Sequence, residues 1–220
     1  MAARLTGPVT GVLRAPPPLD TPLTLDPDEG VVRLRDGAGA LLAEASAADA
    51  ASLPAVPPAP SFAAAAAAGR RFIGLTRPFH PICVTCAANL AEGVGLRVFT
   101  GQVEGAPDGL VAGTWSLNGA FADKDGLASL EVVWAAIDCP GSFAWVAKGG
   151  GGGVLGTMSC EVIRRPAVGE PCVILAWPIE ARGRKSIAGV ALFDAEGELM
   201  ARGRQIWISW AQRAEAEPAR

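Results

Sequence analysis

Three short stretches of this chain hold side chains able to move protons, bind metal or pair with phosphate. The first is Ser129–Asp138 (SLEVVWAAID), with two carboxylates, Glu131 and Asp138, seven residues apart. On a helix rising 1.5 Å per residue this spacing puts both acids on one face, about 10 Å apart along the axis. Either could accept, donate or steer a proton. Asp138 sits in the last turn, where the helix dipole disfavours an acid, so a functional role stands beside the plain alternative of a carboxylate bonded to nearby amides. Glu131 lies in the first turn, where an acid is favoured as a capping or positioning group. The second stretch is Cys83-x-x-Cys86, with His80 three residues earlier. Zinc wants four ligands, and no second C-x-x-C follows; Cys139, Cys160 and Cys172 are scattered. A buried thiol pair is therefore expected and no metal is assigned, Cys83, Cys86 and His80 being the candidates if one binds. Cys139 has no histidine in its segment to activate it and is read as a packing residue. The third stretch is EARGRKS, whose Arg182, Arg184 and Lys185 form the densest basic cluster. Such a cluster holds phosphate or simply solvates a hairpin tip. Arg70-Arg71 is a second basic candidate. With one histidine and no tyrosine, many acid–base mechanisms are out of reach.

Positioning these groups requires a helix and several strands. Leu130, Val133, Trp134 and Ile137 fall at i, i+3, i+4 and i+7, one buried stripe. Ser129 is its N-cap and Cys139-Pro140-Gly141 its stop. Strands are predicted at Leu5–Leu13, Pro22–Leu25, Val31–Leu34, Leu41–Ala45, Gly95–Phe99 and Leu110–Trp115, then at Val154–Arg164, Cys172–Ile179, Ser186–Asp194 and Glu198–Ser209. Between the two groups, Ala47–Gly69 reads as an extended Pro-rich connector and a short Ala helix capped by Ser61. Trp115, Trp134, Trp145 and Trp177 are expected in the core.

The chain also repeats itself. VLRAPP at Val12–Pro17 matches Val162–Ala167 at an offset of 150. Val32, Leu34, Asp36, Gly39, Leu41 and Ala43 match Val190, Leu192, Asp194, Gly197, Leu199 and Ala201 at an offset of 158. Two similar hairpins in one order predict two lobes. The first copy lacks an opening strand and helix, which points to a start codon set too far downstream or, less favoured, an abridged protein. Half the residues are hydrophobic, as in a buried globule. A net charge of −3 makes no case for nucleic-acid binding, and no apolar run of about twenty residues suggests a membrane span. Five cysteines without a small disulfide framework suggest a reducing, cytoplasmic setting.

Taken together, strand, strand, helix and antiparallel strands resemble the hotdog fold, an α+β class in which a sheet wraps a central helix. Two copies resemble the double-hotdog acyl-CoA thioesterases and PaaI-like proteins. CVTCAANLAEGVGLRVF (Cys83–Phe99) is similar to the C-x-x-C-G…N…G-L opening of such lobes. LEVVWAAIDCPG (Leu130–Gly141) is similar to their central helix, with an acid followed three positions later by Gly. Ala87 replaces the usual Gly, and Leu130-Glu131 replaces a common His-Gly pair. The resemblance implies residues 1–50 as a partial first lobe of strands, 51–78 as a linker, 79–212 as a complete second lobe and 213–220 as a flexible tail. It implies Asp138 as the catalytic acid that activates water or attacks the carbonyl, with Glu131 beside it. Amides at Leu130 and Val132 would hold the oxyanion, and Arg182, Arg184 and Lys185 the coenzyme A phosphates. The substrate expected is acyl-CoA or another acyl thioester, with no cofactor; a homodimer is a further expectation. The alternative is a non-catalytic hotdog protein for binding or assembly.

Overall fold

Runs of β-branched and apolar residues, cut by Gly- and Asp-rich turns, fold here as one antiparallel sheet. The computed structural model describes residues 5–209; the last residues of the predicted 79–212 lobe and the tail at 213–220 fall outside them. The N-terminal strands are β1 (Val9–Leu13), β2 (Thr24–Asp28), β3 (Val31–Arg35) and β4 (Leu41–Ala47). Helix α1 (Phe62–Gly69) follows, then β5 (Gly101–Gln102) and β6 (Val111–Trp115). Two helical segments, α2 (Leu130–Ala136) and α3 (Pro140–Ala147), precede β7 (Gly153–Val162), β8 (Cys172–Arg182), β9 (Lys185–Asp194) and β10 (Leu199–Ser209). The sheet order is β2-β3-β4-β1-β7-β10-β9-β8-β6-β5. Outward from the β1–β7 seam, β1-β4-β3-β2 on one side mirrors β7-β10-β9-β8 on the other. The central helix packed on β6–β10, with the four N-terminal strands as a second, helix-less half, is a tandem hotdog fold whose first lobe is incomplete.

The two halves agree in detail at their hairpins. Asp36 accepts the amides of Ala38 and Ala40, and Asp194 those of Glu196 and Glu198. Gly39 and Gly197 take φ of +84° and +90°, a region open to glycine. Val32 pairs with Ala45 and Val190 with Gly203, which keeps the offset of 158. The offset of 150 does not survive. Gly11 and Cys160 are the partners of Ala45 and Gly203, which sets 149. The Leu42 carbonyl accepts from Arg14 and Ala15, and the Met200 carbonyl from Ile163 and Arg164. Matching Arg14 to Arg164 by letter slips the strand by one residue, which would turn every side chain to the wrong face.

Three expectations change. Gly95–Phe99 is irregular, because Arg97 adopts φ of +57° and breaks an extended run. The Ala-rich segment is more than a connector. Ser61 caps α1, and Ala65 and Ala68 are buried against Val173 and Leu175 on the sheet's outer face. That close approach needs Gly101, where a Cβ would overlap the Ala68 carbonyl of α1. Finally, Cys139-Pro140-Gly141 interrupts the helix without ending it. Proline has no N–H and its ring excludes the carbonyl four residues back, yet it suits the first position of a new helix. The Leu130–Ala147 run has the length and hydropathy of a membrane span, and it packs its apolar stripe on the sheet.

Candidate active site

The broken helix creates the site. Ending one turn and restarting another leaves the carbonyls of Ile137 and Asp138 without helical partners. The Gln205 side-chain amide, fully buried on β10, donates to both at 2.9 and 2.8 Å. Its oxygen accepts from Trp207 Nε1 at 2.8 Å, so every strong polar group of Gln205 is used. Gly141 is required beside it, since a Cβ there would fall 1.8 Å from Gln205 Oε1. Sequence reasoning passed over Gln205. The only available hint was a polar residue at an inward position of an alternating strand.

At this break the Asp138 side chain meets a cavity of about 420 Å³. Asp138 at the break lines it together with Ser142 and Val146, which share one face of the restarted helix. Trp207, Phe79 and Leu155 add apolar walls, and Leu13–Pro17 of the N-terminal half close one side. Asp138 Oδ1 is buried without a hydrogen-bond partner. Burial pushes the Asp138 carboxyl up to about 7, and the nearby Cys83 sulfur pushes the same way. The hydroxyl of Ser142 was also missed from sequence, since its place on the cavity depends on the helix continuing past Pro140.

Next to Asp138 stand three sulfurs. Cys83 Sγ lies 3.5 Å from Cys139 Sγ, and Cys83, Cys86 and Cys139 hold their sulfurs within 4.8 Å of one another. The thiols of Cys139 and Cys86 and the amides of Cys86 and Thr85 all stabilise Cys83 as thiolate, lowering its pKa. Cys139 is pushed up by Cys83, Cys86 and burial. Thr85 donates its hydroxyl to the Ala135 carbonyl at 3.0 Å and pins the loop to the helix. His80 lines the same cavity. Cys139, 53 residues from Cys86 in sequence and read there as packing, is thus the third member of this group.

The remaining candidates lie elsewhere. Glu131 is exposed in the first turn of α2, its pKa lowered by its own backbone amide and by Ser129. Val132 gives its amide to Ser129 Oγ at 3.4 Å. Leu130, Glu131 and Val132 are outside the cavity lining, so the helix start is separated from Asp138. Arg182 pairs with Glu180, and Arg184 donates to the Ser209 carbonyl. With exposed Lys185 they form the β8–β9 tip. Lys185 pairs with Ile208, and Ile208 with the cavity residue Val154. Two strand spacings, about 10 Å, therefore separate the basic tip from the cavity rim.

No family model matches the chain, and no curated protein matches it significantly. Solved structures do resemble it. A thioesterase superfamily protein is 21% identical over 52% of this chain and 57% of its own, with a TM-score of 0.47. Zebrafish thioesterase superfamily member 2 is 18% identical over 58% and 91%, with a TM-score of 0.48. A hypothetical thioesterase protein from Streptococcus pneumoniae TIGR4, solved with coenzyme A, is 16% identical over 51% and 90%, at 0.46. The alignment thus spans little more than half of the first of these proteins. What this chain shares with them is a fold, over about half its length.

Proposed function

We propose that the protein binds acyl-CoA or another acyl thioester in this cavity and hydrolyses it. The observation that carries this reading is the buried, unpartnered Oδ1 of Asp138 at the helix break, beside an apolar cavity. Apolar walls suit an acyl chain, and a desolvated carboxylate suits removal of a proton from water. In the proposed step Asp138 takes that proton while the water oxygen attacks the thioester carbon. The tetrahedral intermediate then expels the thiolate, which takes up a proton. The Ser142 hydroxyl, which lines the same cavity, is assigned as a donor to the developing oxyanion. Arg182, Arg184 and Lys185 are assigned to the coenzyme A phosphates, two strands away from the cavity rim. The resemblance of Leu130–Gly141 to the hotdog thioesterase helix supports the same assignment.

On this reading residues 1–50 are a partial lobe, 51–78 a packed connector and 79–212 the lobe that owns the helix. All five cysteines are free, which fits a reducing cytoplasm. One observation favours a non-catalytic binder instead: the Val132 amide already serves Ser129.

Thiol release from a panel of acyl-CoAs, measured for wild type and Asp138→Asn, tests the reading. A loss on the order of 100-fold or more in the variant, with its circular dichroism unchanged, is expected. Equal rates would remove Asp138 from the mechanism. Calorimetric binding without any release would establish the binder. In Leu13→Glu, which charges the N-terminal wall of the cavity, KM should rise more than kcat falls.

A further inference from the structure

We propose that Cys83, Cys86 and Cys139 bind one zinc-like divalent ion through their sulfurs, at the edge of the cavity. Zinc–sulfur bonds of about 2.3 Å in a tetrahedron set the sulfurs about 3.8 Å apart. The three sulfurs here span 3.5 Å to under 4.8 Å, so an ion fits among them with small rotations of the side chains.

Several further features favour an ion over idle thiols. Cys83 and Cys86 come from one turn, and the amides of Thr85 and Cys86 point at the Cys83 sulfur, which is the support a metal-bound thiolate needs. Cys139 comes from the helix break, fixed in place because Gln205 holds the carbonyls just before it. The orphaned carboxylate oxygen of Asp138 lies in the same pocket. Arg14 lines this cavity but is paired with Glu44. A divalent cation held by the three sulfurs would sit beside the Asp138 carboxylate oxygen. Binding releases the remaining thiol protons to solvent, and the three thiolates with the ion carry a net charge of −1. The fourth position faces the cavity and would be filled by water. The ion would clasp the loop around Cys83 to the helix break, whether or not a thioester is hydrolysed there.

The test uses the full-length chain purified without chelator. Metal analysis should find about one equivalent of zinc per chain. Cobalt(II) added to the chelator-stripped protein should give the intense sulfur-to-cobalt absorption of a tetrahedral thiolate site. Cys83→Ser, Cys86→Ser and Cys139→Ser should each weaken cobalt binding by more than about 100-fold, beyond the 10–100-fold typical of outer partners. Cys160→Ser and Cys172→Ser should bind as wild type. The cobalt spectrum of wild type decides the matter even where a serine variant does not fold. Absence of both zinc and the cobalt band would overturn the proposal. So would a band that survives in Cys139→Ser, or a Cys83–Cys139 disulfide in the native protein.

Discussion

The N-terminal and C-terminal halves share a strand order and a hairpin turn, yet only one is a core. In the C-terminal half, β8 and β9 run through long buried stretches, because α2 and α3 cover one face and α1 the other. In the N-terminal half, β2 is almost wholly exposed and β3 half-buried. Its charged pairs, Arg33–Asp28 and Arg35–Asp26, lie at the surface, where such pairs add little. The free edge at β2 is short and carries Pro27, two devices that discourage pairing with another chain. A ladder becomes a two-sided core only where something covers both faces. The helix-less half still contributes, since its Leu13–Pro17 segment walls the cavity.

Four sets of substitutions probe what separates the two halves. The largest effect belongs to the helix break, which the N-terminal half lacks. Gly141→Ala forces a Cβ onto a Gln205 that is bonded at both ends, and should cost about 3 kcal/mol in denaturant unfolding. An unchanged midpoint would show that Gln205 does not hold the break. Next come Leu42→Ala and Met200→Ala, which occupy matching places in the two halves. Met200, more deeply buried, should lose about 3 kcal/mol and Leu42 about 2. A single shared transition is expected for both. If Leu42→Ala instead produced an early separate transition, the N-terminal half would be unfolding on its own. The turn glycines should behave as twins, Gly39→Ala and Gly197→Ala each costing about 1 kcal/mol at positive φ. A marked inequality would mean that the two turns carry different loads. The smallest effect lies at the seam. Thr10 Oγ1 and Ser159 Oγ share a 2.7 Å hydrogen bond, and Thr10→Val should cost about 1 kcal/mol by thermal unfolding.

Sequence reading succeeded where the causes are local. The Asp36 and Asp194 turns were legible because an Asp side chain and a glycine at positive φ suffice to close each hairpin. The apolar stripe of Leu130, Val133 and Ile137 marked the central helix, and Ser61 and Ser129 marked helix starts, because caps act within a few residues. Asp138 drew notice for its place against the dipole. Three things escaped for one reason. The restart of the helix at Pro140 depends on Gln205, 65 residues later, supplying the amide that the broken turn needs. The 149-residue register depends on which strand accepts from Arg14 and Ala15, a choice the matching letters of the two corners do not encode. The third sulfur depends on the helix break meeting the loop around Cys83. Short-range hydrogen bonds and periodicity determine elements, and the sequence states them directly. Which elements meet, and so which side chains form the cavity and the sulfur cluster, is decided only when packing brings distant residues within a few ångströms.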